Sequence, residues 1–210
     1  MKKLFILFFC LWTPLLFAQD GSKINYYVNT GISKTFAPED FNKFWREGFN
    51  LGLGVGRLIT PRLEIQGALT YNSFDLNTTS YIDNGTLSSN LLSDSSGFKT
   101  ADGGQSSIFS FLINLKAMFP TKQNNKVIPY LIGGIGYGRI KFDEIMVQSP
   151  VDIKIEPSHL ENVFSAGAGI GFEFDMSEKT DIYLEGKFDY LLTEQDATVI
   201  FPIKFGITIH

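Results

Sequence analysis

Period-two alternation of apolar and polar residues, repeated along eight segments, makes this chain an all-β protein: an eight-stranded antiparallel up-and-down transmembrane β-barrel. Two further observations point the same way. Glycine is concentrated on the polar face of the alternating segments, at Gly52, Gly54 and Gly56 and again at Gly167, Gly169 and Gly171. Short connections alternate with long ones, which gives a barrel one end of tight turns and one end of loops.

The segments follow in order. Residues 23–35 alternate through Ile24, Tyr26, Val28, Thr30 and Ile32. Residues 49–60 set Phe49, Leu51, Leu53 and Val55 against Asn50, Gly52, Gly54 and Gly56. Only Pro61-Arg62 separates them from residues 63–74, where Leu63, Ile65, Gly67, Leu69 and Tyr71 oppose Glu64, Gln66, Ala68, Thr70 and Asn72. Residues 108–119 place Phe109, Phe111, Ile113, Leu115, Ala117 and Phe119 on one face. Residues 128–142 are strand-like but glycine-rich, and alternation does not assign their faces. Residues 162–175 oppose Phe164, Ala166, Ala168, Ile170, Phe172 and Phe174 to serine, glycine and acidic residues. Residues 181–193 oppose Ile182, Leu184, Gly186, Phe188, Tyr190 and Leu192 to Tyr183, Glu185, Lys187 and Asp189. The last segment, ATVIFPIKFGITIH, puts Val199, Phe201, Ile203, Phe205, Ile207 and Ile209 on one face. Pro202 has no N–H to donate and requires a local compromise in the ladder.

Alternation by itself does not say which face meets water. A soluble lipid-carrying barrel has its apolar face inside, and a membrane barrel has it outside. Glycine costs strand stability and gains nothing on a solvated exterior, whereas the narrow interior of a small barrel needs small residues. Each segment is about 10–14 residues long, and a tilted strand crosses a bilayer in about 9–11. In hydrocarbon every backbone N–H and C=O must be paired within the protein, so the sheet closes. The connection at 75–107 leaves room for another hairpin, so ten strands is the alternative count.

Composition narrows the function classes. The chain has 210 residues, a formal net charge of −4, one Cys and two His. The apolar content excludes wholesale disorder, and the mild acidity argues against a nucleic-acid binder. One Cys excludes a disulfide scaffold, and two His leave little for a histidine-rich metal site. The start reads as a secretory signal peptide over residues 1–18: Lys2 and Lys3, a largely apolar run from Leu4 to Phe17, then Ala18-Gln19. Residues 19–210 then form the barrel domain. Phe9 before Cys10 argues against a lipoprotein signal.

The polar face carries Glu64, Lys116, Glu173, Glu185, Lys187, Asp189 and Lys204. Charges inside a barrel persist when paired, so these residues read as a structural ion-pair plug, with a small pore or a proton-active site as alternatives. His159 is flanked by Ser158 and Glu161, and His210 ends the sequence; adjacency does not build a catalytic site. In the first long connection Phe41, Phe44 and Trp45 share helical spacing after Pro38, Glu39 and Asp40, which suggests a short helix at the rim or a partner-binding surface. Asp83, Asp94 and Asp102 match no calcium loop. Val151, Ile153 and Ile155 alternate in the third long connection, as in a hairpin above the membrane with an edge open to an extended strand.

The stretch GFNLGLGVGRLITPRLEIQGALTYNSF, the stretch FSAGAGIGFEF and the alternating last strand resemble the small outer-membrane β-barrel proteins of Gram-negative bacteria, of the OmpA and OmpX type. The resemblance implies a location in the outer membrane, with outer-membrane lipid and the barrel assembly machinery as partners. Such proteins usually end in an aromatic residue; here the end is Ile209-His210, with Phe205 further in. The expected role is a non-enzymatic, monomeric scaffold that presents external loops to envelope or extracellular partners. No cofactor, metal or nucleic acid is expected. The rival readings are a narrow porin-like channel for small solutes and a soluble periplasmic lipocalin-like lipid-binding barrel.

Overall fold

A computed structural model describes residues 24–84, 99–120, 126–194 and 196–210. The leader expected at 1–18, with Cys10, and Asp94 of the second long connection lie outside the described residues. In chain order the elements are β1 (Ile24–Ala37), α1 (Glu39–Phe44), β2 (Gly48–Thr60), β3 (Leu63–Phe74), α2 (Thr78–Asn84), β4 (Thr100–Gly103), β5 (Ser106–Met118), β6 (Val127–Phe142), β7 (Ile145–Gln148), β8 (Ile153–Glu156), β9 (His159–Ser177), β10 (Thr180–Leu192) and β11 (Ala197–Ile209).

Eight of these strands close a barrel in the order β1-β11-β10-β9-β6-β5-β3-β2. All its ladders are antiparallel, and β1 meets β11 to complete the ring. The three remaining strands form a separate sheet, β4-β7-β8. The alternative count of ten therefore does not hold for the barrel. The 75–107 connection contributes β4, but β4 pairs with β7 beyond the barrel rather than with the barrel wall.

The wall is apolar outside. Val28, Ile32, Leu53, Ile113, Ile135, Ile170 and Ile207 all point outward and are exposed. Asn25, Asn50, Glu64, Asn114, Lys187 and Lys204 point inward and are buried. This is the reverse of a soluble lipid-carrying barrel, so that reading does not hold: an apolar exterior wrapping a charged interior is stable only in hydrocarbon. The faces of β6, which alternation left open, are set by its partners. Tyr130, Ile132 and Ile140 lie inside, and Leu131, Ile135 and Tyr137 lie outside.

Two inward glycines show why the lumen needs them. A Cβ on Gly171 would fall on the Tyr130 ring, and one on Gly206 on the Tyr183 ring. Both tyrosines reach across their neighbour strand, so the empty Cβ position is where the ring sits. Pro202 makes its expected local compromise. The β10–β11 ladder runs to Gly186↔Ile203 and resumes at Asp189↔Ile200. On the lipid side of this gap the Phe188 and Phe201 rings pack 4.5 Å apart, with Phe36 against both. Three aromatic side chains thus cover a stretch where the ladder is broken.

Candidate functional site

The lumen is layered. Its half nearer the tight turns is ionic. Lys116 on β5 donates to Glu173 Oε2 on β9 at 2.7 Å, and its ammonium lies 4.5 Å from the Tyr130 ring centre and 5.4 Å from that of Tyr27. Thr208 donates to the other Glu173 oxygen at 2.9 Å. Lys204 faces Glu185 directly across the β10–β11 ladder, at 3.4 Å, and Tyr130 donates to the second Glu185 oxygen at 3.1 Å. Lys187 and Asp189 stand two residues apart on the same face of β10, 3.2 Å apart, and Lys187 also donates to Asn114 at 3.1 Å. Glu64 is held by neutral donors: the Tyr27 hydroxyl, and the amides of Asn25 and Gln66, each at 3.3 Å.

All seven polar-face residues named from sequence thus line one lumen, and six of them form three ion pairs. A void of about 30 Å³ remains beside Lys116, Glu185 and Lys204. Asn29 and Thr70 border it, each with a buried oxygen that has no protein partner. The space is about the size of one or two waters.

The opposite half of the lumen holds an apolar cluster beside a polar patch of Ser33, Asn50 and Asn72. Phe74, Ile108, Ile140, Val163, Leu191 and Ile200 turn inward from six strands. α1 completes this layer. Pro38 and the acidic Glu39 and Asp40 suit a helix start, and its six residues bring Phe41 down into the mouth. The Phe41 ring lies 5.3 Å from Phe74, 5.3 Å from Trp45 and 5.5 Å from Phe142. The helical spacing was legible in the sequence. That Phe41 would act as a stopper was not, because the ring of apolar residues receiving it comes from strands far apart in the chain.

Above the stopper the long connections build an ordered cap. Phe44, Leu76, Tyr81, Ile145 and Val147 share a second core, with Trp45 and Ala101 against it. The Trp45 indole donates to the Gly104 carbonyl at 2.8 Å, and Asn77 N–H to the Phe44 carbonyl at 2.6 Å. Tyr81 on α2 donates to Glu156 on β8 at 2.6 Å. Burial and the adjacent Glu156 carboxylate raise the Tyr81 phenol above the ordinary tyrosine range. Gly103 and Gly104 have φ of 80° and 75°, a conformation that suits glycine, where the chain turns from β4 into β5. A Cβ on Gly104 would press on Leu76 and Ile145 of the cap core.

At the tight-turn end an opening of about 400 Å³ is bordered by Asn25, Glu64, Glu173, Asp175, Asp181 and His210. His210 bridges Asn25 Oδ1 at 2.9 Å and Asp181 Oδ2 at 2.8 Å, tying β1 to β10 across the end of β11. His159 sits in the open, 3.8 Å from Glu161. Asp102 accepts from the Gly103 N–H. Among the described residues no group of three His, Cys, Asp or Glu side chains is placed to hold a metal ion.

The chain matches the outer membrane protein beta-barrel domain family over residues 7–199. Comparison with curated protein sequences gives no match. Among solved structures the chain is similar to Neisserial surface protein A, with 12% identity and a TM-score of 0.57, over 90% of this chain and 99% of that one. It is also similar to a major outer membrane protein of Thermus thermophilus, with 13% identity and a TM-score of 0.51, over 89% and 99%. At these identities the structures speak to fold, and they share the barrel derived above. A closed barrel with an apolar exterior and an ionic interior, matched along nearly its whole length, belongs to the outer membrane protein beta-barrel domain family and resides in the outer membrane.

Proposed function

We propose that the protein is a non-enzymatic outer-membrane scaffold that presents its cap to envelope or extracellular partners. The lumen serves as a structural plug in this reading. The observation that carries it is the filling of the lumen at two levels, by ion pairs below and by the Phe41 layer above, while an ordered helix-and-sheet surface is built outside. Material spent on an ordered cap supports a role for the cap. The opening bordered by Glu64 and Asp175 supports the rival reading, a narrow channel for small solutes.

Two measurements separate them. Purified protein in planar bilayers is expected to show no unit conductance. On intact cells, proximity labelling from the cap is expected to mark a set of neighbours that is lost when residues 145–156 are replaced by a short glycine-serine turn. Steady unit conductance in the wild-type protein, with labelling unchanged by the replacement, would establish the channel instead.

A further inference from the structure

The cap sheet ends in an edge strand, β8. β8 is the last strand of β4-β7-β8, so among the described residues one side of its backbone has no strand partner. The hairpin closes through Ser149 N–H to the Asp152 carbonyl at 2.8 Å, which makes Ser149 and Asp152 a hydrogen-bonded pair. Antiparallel pairs alternate, so Val147↔Lys154 and Ile145↔Glu156 are bonded pairs as well. The backbone groups of Ile153 and Ile155 therefore point to the free edge. The Asp152 carboxylate caps Ile153 N–H at 2.9 Å. The side chains of Val151, Ile153 and Ile155 are all more than half exposed. Exposed apolar residues on an open strand edge mark a place where another strand adds.

Charge selects which strand. Along Ile153-Lys154-Ile155-Glu156 the residues on either side of Ile155 carry opposite charges; within one copy Lys154 lies 3.6 Å from Asp152 and Glu156 accepts from Tyr81, so a second strand adds to these contacts. Set two copies antiparallel with Ile155 facing Ile155. Each Lys154 then lies opposite the other copy's Glu156, and the two Ile155 backbones exchange a pair of hydrogen bonds. The register one step away, with Lys154 facing Lys154, places like charges opposite and is disfavoured. The register centred on Ile153 sets Asp152 opposite Lys154, but the Ile153 N–H it needs is already held by Asp152; in the Ile155 register the bonded ladder ends at Pro157, which has no N–H to donate.

We propose that β8 pairs with β8 of a second copy in this register, joining two complete barrels through their caps. The proposal rests on the cap as the interaction surface and names one partner for it. Edge pairing alone is weak, so the association is expected to be reversible.

The test uses the intact protein in detergent micelles, which leave the two barrels free to orient. Ile155→Cys places two thiols on a hydrogen-bonded pair whose Cα atoms lie about 5.5 Å apart, within disulfide reach. Mild oxidation is expected to give a covalent dimer. Val151→Cys, equally exposed but not symmetric about the contact, is the control and is expected to give about tenfold less. Lys154→Glu puts like charges opposite at both ends of the pairing and lowers Ile155→Cys crosslinking by about tenfold. In a Tyr81→Phe background, where the Glu156 hydrogen bond is absent throughout, adding Glu156→Lys restores it, because the swap keeps every pair between the copies complementary. Crosslinking equal at positions 151 and 155, or indifferent to both charge changes, overturns the proposal. A nitroxide on Ile153 relaxed by a lipid-soluble reagent, in place of any dimer, also overturns it and assigns the edge to the membrane surface. The cap-replacement labelling described above stands or falls separately. Its loss with no Ile155→Cys dimer leaves the cap as interaction surface and removes only the self-pairing.

Discussion

Glu64 lies directly across the β3–β5 ladder from Lys116, yet the Lys116 ammonium turns to Glu173 at 2.7 Å and leaves Glu64 to neutral donors. The tyrosines explain the choice. The Tyr27 and Tyr130 rings flank the ammonium, and the Tyr27 hydroxyl at the same time donates to Glu64. Tyr27 is thus a relay between a cation that prefers one carboxylate and the carboxylate it leaves. Buried charge in this barrel is distributed over aromatic faces and hydroxyls as well as over ion pairs.

Removing Lys116 should be costly, and removing both partners much less so. Lys116→Met leaves Glu173 buried with Thr208 as its one side-chain donor among the described residues, and it should cost about 3–5 kcal/mol. Lys116→Met with Glu173→Leu should recover most of that loss. Urea unfolding followed by gel mobility in detergent measures both. An equal loss in the single and double variants would contradict the pairing.

The Phe41 stopper should be separable from the barrel. Phe41→Ala opens a cavity among Phe74, Ile108 and Leu191 and should destabilise the α1 region by about 3–5 kcal/mol. Trp45 fluorescence should shift to the red and amides of residues 39–44 should exchange faster. The barrel should keep its heat-modifiable migration. Planar-bilayer recordings of this variant should stay silent, because the ion-pair layer still fills the lower lumen.

Glycine substitutions should divide by face. Gly206→Ala drives a methyl into the Tyr183 ring and should cost about 1–3 kcal/mol. Gly67→Ala faces outward, where the nearest atom is a Phe111 ring carbon at 4.0 Å, and should be tolerated. Thermal loss of the compact band on unboiled gels compares the two. Equal sensitivity would mean that the faces have been assigned wrongly.

Tyr81 should hold the cap together below the tyrosine range and release it above. Its phenol is raised by burial first and by Glu156 second. A phenol whose folded value exceeds the unfolded one stabilises fully below about pH 10 and loses that contribution as pH climbs toward the folded value. The ultraviolet tyrosinate difference between wild type and Tyr81→Phe should therefore be absent at about pH 10. Tyr81→Phe should loosen β8 by on the order of 1–2 kcal/mol at neutral pH. Spin labels on residues 153–156 read that loosening directly.

The wall of this barrel was legible because alternation is a local property. Ile203, Phe205 and Ile207 face one way and Lys204, Gly206 and Thr208 the other whatever their neighbours do. The glycines at 167, 169 and 171 told which face was crowded, and hence which was lumen. β6 resisted because Gly133, Gly134, Gly136 and Gly138 carry no side chains to alternate, and only its pairing with β5 and β9 assigned it. The cap was legible in part: the hairpin carrying Val151, Ile153 and Ile155 was expected, and the sheet it joins was not. Thr100–Gly103 and Ile145–Gln148 are far apart in sequence and too short to signal a strand alone, and each becomes one by pairing with the other.

The sequence by itself determined an all-β wall and the two faces of seven of its strands, since period-two patterning is set residue by residue; that eight strands rather than ten close it, and which way β6 faces, came from the pairing. Tertiary structure alone decided which charge meets which, why Lys116 passes over Glu64 for Glu173, and that Phe41 closes the mouth. Those outcomes depend on where strands distant in the chain bring their side chains within a few ångströms. At that range, geometry and desolvation choose among partners that sequence leaves equivalent.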